Sequence, residues 1–149
     1  MNLKNYITEA VSHGWNKKYY NEPEYGDSTD DIITWLKSYG IKGYQWKDKD
    51  NSFKYMEGNP PVKYGELVWY AGPCDKRPDT HWICLMNNSD RGNSKPEATQ
   101  EICIYTKNKN RTNFIRNLLT GEDKQLNFSN AIMLMKRMID RPEIWIENF

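Results

Sequence analysis

Apolar residues recur along this chain with two different periods, and the change from one to the other divides it into elements. In residues 1–14, Leu3, Tyr6, Ile7, Ala10 and Val11 stand at i, i+3, i+4, i+7 and i+8, which draws one apolar stripe along a helix. Gly14 follows as a C-terminal cap. Residues 15–27 are polar and aromatic and hold Pro23 and Gly26, so they read as a surface connection. A second helix starts at Asp27-Ser28-Thr29-Asp30-Asp31, where Ser28 or Asp27 can cap and Asp31 completes a capping box with Ser28. Ile32, Trp35, Leu36 and Tyr39 form its stripe, and Gly40 ends it.

Beyond Gly40 the period falls to two. Residues 41–47 place Tyr44 and Trp46 on one side, residues 52–57 pair Phe53 with Tyr55, and the turn between them predicts a β-hairpin. Residues 62–71 predict a third strand with a bulge at Gly65. The near-continuous apolar run 80–86 predicts a central strand, and residues 100–107 a fifth. Phe114, Ile115, Leu118 and Leu119 predict a short helix stopped by Gly121, with a strand running into the Thr120-Gly121 turn as the alternative. A final helix over 129–140, capped by Asn127 or Ser129, turns Ala131, Ile132, Met135, Met138 and Ile139 inward. The expected fold is α+β: an antiparallel sheet of four or five strands packed by helices from both ends of the chain. Its organisation is a leader helix at 1–14, a connection at 15–27 and a single domain at 28–149.

A nine-residue stripe cannot hold a helix alone, since about 12–15 residues are marginal even for good helix formers. The leader must therefore dock on its own domain or on a partner. Within it, Ile7-Thr8-Glu9-Ala10 resembles the capsid-targeting leaders of internal head proteins in T-even-type tailed phages. Those are short amphipathic helices at the extreme N-terminus, ending in Leu/Ile-x-Glu and a small residue where the prohead protease cuts. The run from Tyr6 to Gly14 is also similar to the start of small uncharacterised proteins of crAss-like Bacteroidales phages. The resemblance ends within residues 1–14. It implies docking on phage head or core proteins through Leu3, Tyr6, Ile7, Ala10 and Val11. It also implies processing at Ile7, Glu9 and Ala10, with the cut after Glu9. The protein so implied is a non-catalytic accessory protein, carried in the head or deployed against host functions.

Composition narrows the alternatives. Ten Tyr and six Trp argue against disorder, and a net charge of +1 gives no global field toward nucleic acid or an anionic membrane. No apolar run approaches a membrane span, so no membrane partner is expected; the resemblance implies the host cytoplasm or the virion as the location. Three Cys with no close pairing make a disulfide framework unexpected and a reducing compartment the default. One local asymmetry stands out. Lys107, Lys109, Arg111 and Arg116 form an acid-free basic run that could follow phosphates, with Tyr105 or Phe114 to stack on bases. A nucleic-acid- or protein-binding module using 107–116 is thus the alternative function.

Catalytic chemistry has thin material. Cys74, Asp75, Asp79, His81 and Cys84 are the one candidate constellation, but His81 and Cys84 fall on opposite faces of a strand. Cys74, His81, Cys84 and Cys103 lack the close Cys pairs of zinc knuckles, so neither a metal nor a cofactor is expected.

Overall fold

The computed structural model describes residues 22–47, 50, 62–73, 81–91, 95–106 and 111–147. The leader at 1–14, most of the connection at 15–27 and the expected strand at 52–57 lie outside them. Helix α1 spans Thr29–Ser38. Ser28 caps it through the expected box: its hydroxyl accepts from the Asp31 amide at 3.2 Å, and the Asp31 carboxylate accepts from the Ser28 amide at 3.1 Å. Six strands follow: β1 Gly43–Gln45, β2 Leu67–Pro73, β3 His81–Asn87, β4 Gln100–Tyr105, β5 Asn113–Asn117 and β6 Asp123–Leu126. Helix α2, Phe128–Asp140, closes the described chain, its first turn capped by the Asn127 side chain on the Asn130 amide.

The strands lie side by side in chain order. All neighbours are antiparallel except β1 and β2, which run parallel with Tyr44 opposite Tyr70. The fold is α+β as expected, but the sheet is mixed and six-stranded rather than antiparallel with four or five strands. Of the hairpin expected from residue 41, β1 is formed and pairs in parallel with β2, while the second arm at 52–57 lies outside the described residues. The third strand begins only at Leu67. Gly65 sits before it in a turn at φ 77°, donating to the Asn88 carbonyl, and is not a bulge within the strand. Residues 113–117 are strand and not helix, the cross-strand pairs Ile102–Ile115 and Cys103–Phe114 overriding a weak helical period. The alternative reading of this stretch is the one formed, with Gly121 at φ 83° in the following turn. β6 carries the sequence DKQL and has no apolar alternation to announce it.

Period-two alternation gives the sheet two apolar faces. Trp69, Ala71, Ile83, Leu85, Ile102, Ile104 and Ile115 point to one, where Ile32, Trp35 and Leu36 of α1 and Ala131, Ile132, Leu134, Met135 and Met138 of α2 cover them. Both helices thus lie on the same side. Leu134 of α2 is fully buried, while Tyr39 is 41% exposed beyond the end of α1. The chain after α2 returns to the sheet through Gln100, whose amide group donates to the Ile146 carbonyl at 2.8 Å and accepts from its N–H at 3.1 Å. That side chain stands in for a strand partner and satisfies a buried backbone pair. In the described part of the tail Ile146 is buried and Trp145 half-buried.

Trp69 joins α1 to the sheet. Its indole donates to the Ile41 carbonyl at 3.0 Å, lies beneath the Lys37 ammonium and presses on Gly43. A methyl group at Gly43 would overlap the indole ring itself. We therefore expect Gly43→Ala to destabilise the fold by about 2–3 kcal/mol, at the upper end of overpacking costs. Urea unfolding should show a lowered midpoint at unchanged slope, and an unaltered midpoint would refute the contact.

Candidate functional site

The second face of the sheet is the unusual part of the molecule. Val68 and Tyr70 from β2, Trp82, Cys84 and Met86 from β3, and Cys103 from β4 form its buried cluster, with Val62 packed beside them. Trp46, Tyr105, Phe114 and Leu118 lie half-buried against it. The rings form a near-parallel array. Trp46 stacks on Tyr70 at 5.5 Å and 10°, Tyr44 on Tyr70 at 5.7 Å, and Trp46 on Trp82 at 6.3 Å. The Trp82 indole donates to the Pro73 carbonyl at 3.1 Å, so its polar edge is satisfied at the sheet end. No residue of α1 or α2 belongs to this cluster.

Cys84 and Cys103 face each other across β3 and β4 and form a disulfide, with Cα atoms 4.1 Å apart. This corrects the expectation from the cysteine count. Pairing depends on register and not on closeness in sequence, and 19 positions of separation close easily when the two residues stand opposite each other on adjacent strands. Neither sulfur is then a nucleophile or a zinc ligand. His81 begins β3 with its backbone carbonyl accepting from Thr106, while Cys74, Asp75 and Asp79 lie outside the described residues. Among the described residues, no group of three His, Cys, Asp or Glu side chains could hold a metal ion. No helix among them is long and apolar enough to cross a membrane.

The basic run divides. Lys107 and Lys109 lie outside the described residues. Arg111 and Arg116 come to the rim of the second face, each over a ring: Arg111 at 5.6 Å from the Tyr105 centroid, Arg116 at 4.3 Å from that of Phe114. Arg116 is not a free cation. It meets Glu101 at 3.4 Å on β4 and Asp123 at 3.1 Å on β6, a row of acid, base and acid across three strands. Sequence reasoning missed Glu101, because an acid inside the apolar run QEICIY gives no sign of its cross-strand partner. Burial pushes the Glu101 carboxyl above its ordinary range, and the Arg116 guanidinium opposes this only in part. The leader positions Leu3, Tyr6, Ile7, Ala10 and Val11, and the processing step at Ile7, Glu9 and Ala10, lie outside the described residues.

A cleft of about 550 Å³ opens at the sheet end where Gln100, Asn117 and Asp123 lie, lined also by Lys124 and by Trp145 and Glu147 of the tail. Arg91 fills much of its chemistry, lying 4.8 Å from the Trp145 ring centroid and 2.6 Å from Glu147.

Two outcomes follow. Because the folded state favours protonated Glu101, the wild-type chain should gain stability relative to Glu101→Gln as pH falls from neutral toward the ordinary carboxylate range, and lose that advantage as pH rises. Parallel urea titrations of both proteins would read the crossing trend, and curves that stay parallel would contradict it. Thiol titration in denaturant without reductant should find one thiol per chain, that of Cys74, and three after reduction. Three thiols before reduction would remove the disulfide. Set against known protein families, curated proteins and solved structures, the chain finds no match.

Proposed function

We propose that this chain is a non-catalytic accessory protein of a tailed phage, packaged in the head through its N-terminal leader or acting against host functions. The single observation that carries the reading is how the larger core closes. Among the described residues its buried side chains run from Ile32 to Ile146, and α1 and α2 cover the first sheet face. A leader is removable only if the body it leaves behind keeps its principal core, and a first face covered by α1 and α2 supports that condition. The apolar stripe and the Ile7-x-Glu9-Ala10 step supply the other half.

The alternative, a nucleic-acid-binding module using the basic run, has less to stand on. Arg116 is committed to Glu101 and Asp123, so much of its charge is already answered within the sheet.

Mass spectrometry of purified virions tests the proposal. The expected finding is a virion-associated chain whose N-terminus is Ala10, with the peptide ending at Glu9 lost or present only as a fragment. A chain absent from particles, or present with Met1–Ala10 intact, overturns the packaging reading.

A further inference from the structure

A polar row crosses the first sheet face at the end where the tail returns. Register puts Asn87 opposite Gln100 and Gln100 opposite Asn117, and the Asn117 amide donates to the Glu122 carbonyl at 2.8 Å. Gln100 stands two positions from Ile102 and Asn117 two from Ile115, so the row shares their face. Its first half holds the tail. The Asn87 side chain donates to the Pro142 carbonyl at 2.7 Å, and Gln100 exchanges two bonds with Ile146. Its second half, Asn117 and Glu122, lines the cleft of about 550 Å³ beside the tail. That volume falls within the roughly 300–1,000 Å³ of small-ligand sites.

The two sides of the cleft are built differently. On the tail side stand Trp145 and Glu147, and they hold Arg91 between them at 4.8 Å from the ring centroid and 2.6 Å from the carboxylate. On the β6 side stand Glu122 and Lys124, with buried Ile115 between the two sides. Asp123 lines the cleft too, but its carboxylate meets Arg116 at 3.1 Å. Each side therefore presents one cation and one carboxylate. The Glu122 carboxylate has no hydrogen-bond partner among the described residues.

This arrangement selects by charge and by hydrogen bonding. A phosphate drawn to Arg91 or Lys124 meets a carboxylate beside each, and a multiply charged cation meets the reverse, so like charges oppose both. An extended peptide needs partners for N–H and C=O together, as Gln100 gives Ile146. Asn117 cannot repeat that exchange, because its Oδ1 already accepts from the Leu119 and Thr120 amides at 2.9 and 3.3 Å. A neutral ligand rich in hydroxyls meets neither obstacle. Each hydroxyl donates to a carboxylate or accepts from a cation, and bonds to charged partners are the stronger kind. The half-buried Trp145 ring offers a flat apolar surface to the C–H face of a sugar.

We propose that this cleft binds a neutral oligosaccharide, with one sugar ring against Trp145 and hydroxyls bridging Glu147 and Arg91 on the tail side to Glu122 and Lys124 on the β6 side. The site is independent of the leader and of its processing.

The test titrates the isotope-labelled full-length chain with maltotriose, cellotriose and chitotriose, and in parallel with inorganic phosphate and a tri-lysine peptide, reading amide and indole resonances. At least one trisaccharide should produce saturable shifts at the Trp145 indole, assigned by its loss in Trp145→Phe, and at the amides of Glu122 and Lys124. Glu122→Ala should weaken that binding by about tenfold or more, the cost of one hydrogen bond to a charged group. Its urea midpoint should match the wild type, since Glu122 is exposed. Silence with all three sugars, shifts confined to other parts of the chain, tighter binding of phosphate or peptide than of every sugar, or unweakened binding by Glu122→Ala overturns the assignment.

Discussion

Register between β3 and β4 is the constraint on which the other features rest. These strands pair residue for residue from Trp82–Tyr105 to Asn87–Gln100, and every second residue changes face. Ile83, Leu85, Ile102 and Ile104 reach the helices, while Trp82, Cys84, Met86 and Cys103 reach the aromatic side. A slip of one position would exchange the two sets and put Glu101 among the helices. Two contacts hold the register against such a slip: the disulfide at the middle of the pair and the Thr106 amide on the His81 carbonyl at its end. The disulfide also limits how far β3 and β4 separate in the unfolded chain, which for a loop of this size is worth about 3 kcal/mol in the chain-entropy account.

Both faces of this sheet are apolar, and that explains what could and could not be read from the residues. The run THWICLM was legible as a central strand because burial on both faces erases alternation. Helices α1 and α2 were legible because Ser28–Asp31 and Asn127 cap them, and the stripes behind those caps keep a 3.6 period. The failures have local reasons. β1 is three residues long and pairs in parallel with a strand more than twenty positions away, an arrangement no local pattern encodes. β5 alternates too briefly to outweigh Phe114, Ile115, Leu118 and Leu119, which also satisfy a helix. β6 is held by its neighbour and by Arg116–Asp123, and not by burial, so only Leu126 is inside. At the site, Arg111 and Arg116 were picked out as cations, but the rings beneath them and the acids beside Arg116 were assigned by register alone.

The disulfide bears on where the protein spends its time. Cysteine pairs of this kind persist in oxidising surroundings and are kept reduced in the cytosol of most cells. An expectation of host cytoplasm, drawn from an odd cysteine count, therefore sits uneasily with Cys84 and Cys103 joined across β3 and β4. A protein that leaves the cell inside a particle escapes the glutathione pool, and its paired cysteines can then remain closed. Burial at 2% and 3% also places the sulfurs away from soluble thiols, so re-entry into a reducing compartment would open the bond only as fast as the second face itself opens.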